Sequence, residues 1–132
     1  MTQEDRRFLL LRDLCARLPY EVIVDYSYNA YDVHKGYYIK HDQECILDCE
    51  LLDTFISPRL DEKGEYIKPY LFPLLSMTKE QKQEYQYITE RWMYDSSYSI
   101  SDSIDWLNKN HFDYRGLIEK RLAIDATGLN IY

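Results

Sequence analysis

The amino-acid sequence predicts an α+β fold: a small antiparallel β-sheet of about four strands, with an N-terminal helix and two to three C-terminal helices packed on it. Three observations predict it. Apolar residues recur at helical spacing from Phe8 to Leu18, the period shortens to two between Tyr20 and Leu51, and helical spacing returns after Thr78. The chain has 132 residues, so it is read as one domain, 1–132, whose core needs neither disulfides nor metal. A composition of 45% hydrophobic and 30% charged residues is that of a folded protein rather than a disordered one.

Thr2 and Asp5 form a plausible capping box, and Phe8, Leu10, Leu11, Leu14, Cys15 and Leu18 then mark the buried stripe of a first helix over about 4–17, ended by Pro19. Arg6, Asp13 and Arg17 fall opposite that stripe and are expected in water, with Leu9 among them. From Tyr20, the residues Val22, Val24, Tyr26 and Tyr28 alternate with Glu21, Ile23, Asp25 and Ser27, which is a half-buried strand. Asn29-Ala30 and His34-Lys35-Gly36 read as turns, leaving short strands near 31–34 and 37–41. Cys45, Leu47, Cys49 and Leu51 alternate with Ile46, Asp48 and Glu50 as a further strand of an antiparallel meander. Ser57-Pro58 opens a polar loop through Gly64, followed by a brief strand at 65–68 and an extended Pro69–Pro73 segment.

Thr78 and Gln81 open the second helix, with Gln81, Tyr85, Ile88 and Trp92 on one face and Tyr87 and Tyr94 on the other. A Ser-rich connection from Tyr94 to Ser103 leads to a third helix near 102–110, with Ile104 and Leu107 inward. Asp113 is positioned to cap a last helix through about Leu122, with Leu117 and Ile118 inward and Lys120 and Arg121 complementing its C-terminal dipole.

The charge is unevenly placed. Residues 21–65 carry eleven acids against four bases, so the entire net charge of −7 resides there, while the remaining segments nearly balance. An acidic surface repels nucleic-acid phosphates and suits a basic partner or simple solubility. Fourteen tyrosines are the other departure from ordinary composition, and five of them, Tyr26, Tyr28, Tyr31, Tyr37 and Tyr38, lie in the acidic segment. Tyrosine offers a large contact area at small entropic cost, so this segment, with Asp42 and the off-face Tyr87 and Tyr94, is the candidate partner-binding surface. Strand packing accounts for part of the same cluster.

Candidate chemistry is sparse. His41-x3-Cys45-x3-Cys49, with His34 nearby, has zinc-ligand spacing on a helix, but on a strand the two cysteines lie about 13 Å apart at ~3.3 Å per residue. The period of two therefore predicts no metal site, and an odd count of three cysteines argues for reduced, partly buried thiols rather than a disulfide framework. His111-Phe112-Asp113-Tyr114-Arg115 gathers acid, base and cation in five residues. Helix capping by Asp113 and packing of His111 with its nitrogens satisfied account for that run without catalysis, and no catalytic residue is assigned. No G-x-S-x-G, P-loop, dinucleotide fingerprint or H-E-x-x-H occurs, and four glycines leave little to build a phosphate cradle, so no cofactor is expected. Trp106, opposite Ile104 and Leu107, is either an exposed functional aromatic or packed on the second helix.

The stretches LCARLPYEV (14–22), PYLFPLLSMT (69–78) and IDWLNKNHFDYRGLIEKRLAIDATGLNIY (104–132) resemble a family of short uncharacterised proteins from gut Bacteroides-type bacteria and their mobile elements or phages. The likeness covers about half the chain and departs between about 25 and 65, where this sequence carries extra acids and tyrosines. It implies a shared small fold and an accessory role in a mobile-element setting, and it carries no activity, cofactor or catalytic residue.

The apolar run Phe8–Leu11 is too short for a secretory signal, and the longest charge-free apolar stretch, Tyr70–Met77, contains Pro73 and falls far short of the ~20 residues of a membrane span. A cytoplasmic protein is expected, with no membrane association. The functional expectation is a non-enzymatic protein-binding or regulatory module, with a protein partner or a homodimer. The competing readings are a nucleic-acid-associated regulator using Arg6, Arg12 and Arg17 of the first helix together with the C-terminal bases, an inhibitor whose carboxylates mimic nucleic acid, and a small hydrolase centred on His111, Asp113 and Arg115.

Overall fold

The computed structural model describes residues 1–56 and 65–132. The architecture is α+β, a five-stranded open sheet with a helix before it and further helices between its strands. Helix α1 (Gln3–Arg17) begins at the Thr2/Asp5 capping box and runs into a 3₁₀ turn at Leu18–Tyr20, where Pro19 ends the α-helical ladder. Strands β1 (Ile23–Asp32) and β2 (Tyr37–Ile46) form an antiparallel hairpin of ten residues a side. Helix α2 (Cys49–Ile56) follows, and β3 (Tyr66–Pro73) returns antiparallel to β1. Helices α3 (Lys79–Tyr94) and α4 (Ile100–Lys109) each start on a capping box, Thr78 with Gln81 and Ser99 with Asp102. Two short strands, β4 (Phe112–Asp113) and β5 (Ile124–Asp125), pair in parallel with β3, so the order is β2-β1-β3-β4 with β5 also on β3. The sheet is thus mostly antiparallel rather than a pure meander.

Several local expectations are corrected. Asn29-Ala30 is not a turn: β1 continues through it to Asp32, because β2 supplies partners up to the Asp32–Tyr37 pair. The turn falls at His34-Lys35-Gly36, where Asp32 Oδ1 accepts the amides of His34 and Lys35 and Gly36 takes a φ of 75°. The short strand expected at 31–34 is instead the end of β1 and the turn, and the one expected at 37–41 extends to Ile46. The expected strand at 45–51 is instead a strand end and a helix start, since Asp48 Oδ1 accepts the Leu51 amide at 2.7 Å as an N-cap. The polar loop expected from Ser57 through Gly64 lies outside the described residues. Glu65–Lys68 and Pro69–Pro73 join into one strand that tolerates Pro69, because opposite Val24 it needs only one partner: β5 begins pairing at Tyr70.

The last helix is absent. Leu117–Lys120 makes a single turn, entered by Asp113, whose two carboxylate oxygens accept the amides of Leu117 and Ile118 at 2.9 Å. Arg121 closes it at a φ of 60°, with the Leu122 amide reaching back to Leu117 O, a left-handed cap that stops propagation.

Two apolar clusters hold these elements. In the first, Leu10 and Leu14 of α1 pack on Val24, Ile67 and Leu71 of one sheet face, with Leu47, Phe55 and Leu117 closing the sides. Leu9 joins it as a partly buried neighbour, whereas Phe8, expected in the stripe, is exposed. Phe72, one residue beyond Leu71 and so on the opposite face, belongs to the second cluster with Trp106, Leu107, Phe112, Tyr85 and Ile88. Trp106 is buried there, its ring stacked on Phe112 at 5.7 Å and 5.5 Å from Tyr85, so it packs on α3. Ile104 and Trp92, both expected inward, are exposed, while Leu107 is buried as expected.

Candidate functional site

The β1–β2 hairpin positions the acidic, tyrosine-rich segment. Antiparallel register sets Asp25 opposite Glu44, Ser27 opposite Asp42, Asn29 opposite Lys40 and Tyr31 opposite Tyr38, all on the face away from the main core. β3 adds Tyr66 and Lys68 to that face through its pairing with Ser27 and Asp25, and Tyr70 two residues on. Tyr66 donates its hydroxyl to Asp25 Oδ2 at 3.1 Å and Tyr70 donates to Glu44 Oε1 at 3.2 Å. Burial first, and then the Glu44 and Asp25 charges, push the Tyr70 phenol up to about 12. Tyr66 moves the same way, through burial and its bond to Asp25. Lys40 and Lys68 lie over the Tyr66 ring at 5.6 and 4.9 Å. Around Tyr66 the outer face is therefore a lattice of three carboxylates, two phenols and two ammonium groups, of which only Asp42 was legible as a site residue in the sequence. The alternation of Asp25 with Val24 and Tyr26 was the signal that could have placed Asp25 there.

The expected tyrosines divide between the two faces. Tyr31 and Tyr38 meet edge to face at 5.3 Å on the outer face, with Asp42 on the same side. Tyr26 and Tyr28 stack at 4.8 Å on the core face, where Tyr28 also stacks on His41 at 5.2 Å; Tyr26 is partly buried against the main cluster. Burial, with Glu65 second, raises the Tyr26 phenol. Tyr37 lies on the core face too, but at the far end of the hairpin, and it is 57% exposed. Tyr87 and Tyr94 are exposed on α3, with the Arg91 guanidinium 4.7 Å above the Tyr87 ring. The eight residues thus make no single surface.

What the hairpin does present is a ribbon. Among the described residues, β3 pairs with β1 only from Val24 to Ser27, so the part of the hairpin from Tyr28 to His41 extends past its described neighbour as two strands. Its end exposes Tyr31 (54%), Val33 (77%), Tyr37 (57%) and Tyr38 (61%). Among the described residues, β2 pairs on one side alone, leaving a ten-residue edge.

The second candidate, His111–Arg115, is drawn apart by its contacts. Asp113 caps the turn described above, and Arg115 donates to Asp13 Oδ1 and to the Tyr114 hydroxyl at 2.8 Å, which itself donates to Asn108 Oδ1. Asp13 and Arg17, expected in solvent, are wholly buried: Arg17 Nε donates to Asp13 Oδ2 at 2.8 Å and a terminal nitrogen to Phe112 O at 2.6 Å. The helical wheel placed them outward, and only this pairing with the C-terminal segment makes their burial tolerable. His111 takes a φ of 63° and stacks on Tyr132 at 3.7 Å. Its Nδ1 is buried without a hydrogen-bond partner, contrary to the expected satisfied imidazole, and burial first and Arg17 second depress its pKa to about 4.

The remaining candidates are also redistributed. Arg6 is bound to Lys120 O and Arg17 is buried, so α1 does not offer Arg6, Arg12 and Arg17 as one basic face. Cys45 ends β2 and Cys49 opens α2, which removes the strand spacing on which the metal argument rested; Cys15 and Cys49 are exposed rather than partly buried, and all three thiols are free. Among the described residues, no three His, Cys, Asp or Glu side chains are grouped to hold a metal ion. Nor is any described helix long and apolar enough to cross a membrane. Comparison with known proteins found no matching family model, no similar curated protein and no similar solved structure.

Proposed function

We propose that this protein is a non-enzymatic binding module of the cytoplasm that engages a protein partner through the end and open edge of the β1–β2 ribbon. The observation that carries this reading is the projecting ribbon itself, with Tyr31, Tyr37 and Tyr38 more than half exposed at its end. Burying such large, stiff side chains on association yields apolar contact for little lost rotamer freedom. The edge of β2 that no described strand covers supplies main-chain donors and acceptors that an extended segment of the partner can complete. Asp25, Asp42 and Glu44 beside it favour a partner segment bearing Lys or Arg. An accessory role in a phage or mobile element is consistent with such a module, and the resemblance of the two ends of the chain supports that setting.

The test is photocrosslinking in lysate of the presumed host, with a photoreactive residue in place of Tyr37 and, as a control, in place of Tyr94. One protein captured from position 37 and absent from position 94, and lost when Asp42→Lys is added, is the expected result. Equal capture at both positions, or capture indifferent to Asp42→Lys, refutes the ribbon as the contact surface. If duplex DNA displaces the captured protein, the ribbon's carboxylates act as phosphate mimics on the partner's nucleic-acid site.

A further inference from the structure

On the main-core side of the molecule, α1, α2, β3 and the C-terminal turn enclose a cavity of about 230 Å³ whose composition is unlike the rest of this acidic chain. Its floor is apolar: Leu10, Phe55 and Ile67, each almost fully buried, are core residues that show one side to the cavity. Its rim carries Arg6 and Arg7 from α1 and Arg121 from the turn; Lys68 borders it through β3, with its ammonium turned to the Tyr66 ring on the outer face of the sheet. Among the described residues that line it, the one carboxylate is Glu65, which accepts the Asn29 amide at 2.9 Å.

The arginines are held in place by their neighbours. Arg6 donates to Lys120 O at 2.6 Å, which ties α1 to the turn carrying Arg121, and Arg7 donates to Phe55 O at 2.8 Å with its guanidinium 5.6 Å from the Phe55 ring. Among the described residues, no carboxylate pairs with Arg6 or Arg121. Like charges collected around a low-dielectric floor repel one another, and an anion seated among them relieves that repulsion while its apolar portion covers the floor. Net charge of −7 makes the collection more telling, since an anion is repelled by the remainder of the surface and drawn to this one concave site.

We infer that this cavity binds a small amphiphilic anion, a molecule with a compact apolar body against Leu10, Phe55 and Ile67 and a carboxylate or phosphate-monoester head at the Arg6 and Arg121 rim. The volume lies below the ~300–1,000 Å³ of sites for drug-sized ligands, so the occupant is a small molecule and not a nucleotide or lipid. The inference does not depend on the role of the ribbon.

The experiment is an amide-resonance NMR titration of the intact protein with four probes: benzoate, phenyl phosphate, inorganic phosphate and benzyl alcohol. Saturable shifts at Leu10 and Ile67 with benzoate or phenyl phosphate, and affinities at least about tenfold weaker for both inorganic phosphate and benzyl alcohol, are expected. Benzoate against phenyl phosphate identifies the head group. Arg121→Gln should weaken the preferred anion by about tenfold while leaving the spectrum of the rest of the fold in place, and Lys68→Gln should leave the affinity unchanged. If Arg121→Gln fails to fold, the salt dependence of wild-type binding decides, because an ionic head must bind more weakly as salt rises. Benzyl alcohol binding as well as the anions, shifts confined to other residues, salt-indifferent binding, or no shift with any probe would overturn the proposal.

Discussion

Asp13 and Arg115, 102 residues apart, meet in a 2.8 Å ion pair on a carboxylate that is completely buried. The same carboxylate receives Arg17 from one turn further along α1, so Asp13 balances two guanidinium groups and fastens the first helix to the segment between β4 and the C-terminal turn. Arg17 and Arg115 both lie over the Tyr114 ring, at 5.3 and 4.6 Å, which fills the space around the charges.

Removing that carboxylate should be costly. Asp13→Ala leaves Arg17 buried without its counter-charge and is expected to destabilise the protein by about 3–5 kcal/mol in urea unfolding. Arg115→Ala removes only the partly exposed partner and should cost less, about 1–3 kcal/mol. Replacing both inner charges, Asp13→Leu with Arg17→Met, should recover part of the Asp13→Ala loss. A double variant less stable than Asp13→Ala would show that the pair acts through something other than mutual neutralisation.

Acid sensitivity follows from His111. Its folded pKa, about 4, lies below the ordinary 6.5, because burial and Arg17 disfavour the imidazolium. The unfolded chain therefore binds the extra proton first as pH falls, and the stability contributed by the neutral ring is complete above pH 6.5 and lost as pH drops toward 4. Denaturation midpoints measured across that range should fall more steeply for the wild type than for His111→Asn, which tolerates the left-handed backbone. Parallel curves would sink this assignment.

At the alkaline end, Tyr70 and Tyr132 act together. Both phenols are raised to about 12, Tyr70 by burial with Glu44 and Asp25, Tyr132 by burial outweighing its other contacts. The unfolded chain loses these protons near pH 10, so stability present below that pH is lost as it climbs toward 12. Ultraviolet titration of phenolate should show a late-ionising fraction that shrinks in Glu44→Gln. Tyr132→Phe should cost about 1–2 kcal/mol besides, since its hydroxyl donates to Tyr70 O at 2.8 Å and accepts the Ile23 amide at 2.9 Å, bridging β1 and β3.

Asp48 separates β2 from α2. Asp48→Ala should cost about 1 kcal/mol by leaving the Leu51 amide uncapped, whereas Asp48→Asn or Asp48→Ser should retain most of it. Equal loss in all three, read from thermal unfolding, would contradict the capping role.

Features governed by near neighbours were readable in the chain. The capping boxes at Thr2 and Thr78 and the turn at His34–Gly36 rest on contacts within about four residues, so the residues that make them are adjacent on the page. The α+β class followed from the change of hydrophobic period. Where two periods fit one stretch, locality failed: Leu47 and Leu51 suit a strand alternation and also one helical turn, and only the Asp48 cap separates the readings. The helical turn at Asp113 likewise began where capping placed it, but Arg121 in the left-handed region ended it before a helix could form.

Tertiary structure decided what lies far apart in sequence. A helical wheel places Asp13 and Arg17 outward because it knows only their polarity; their burial depends on Phe112 O and Arg115, brought to α1 by a sheet edge almost a hundred residues away. The division of Tyr26, Tyr28 and Tyr37 from Tyr31, Tyr38 and Asp42 follows from strand register, and the projection of the ribbon from where β3 stops pairing. The cavity draws its lining from four elements, and no spacing in the chain joins Arg6 to Arg121. Desolvation and charge pairing act through space, and chain distance carries no record of which groups will share it.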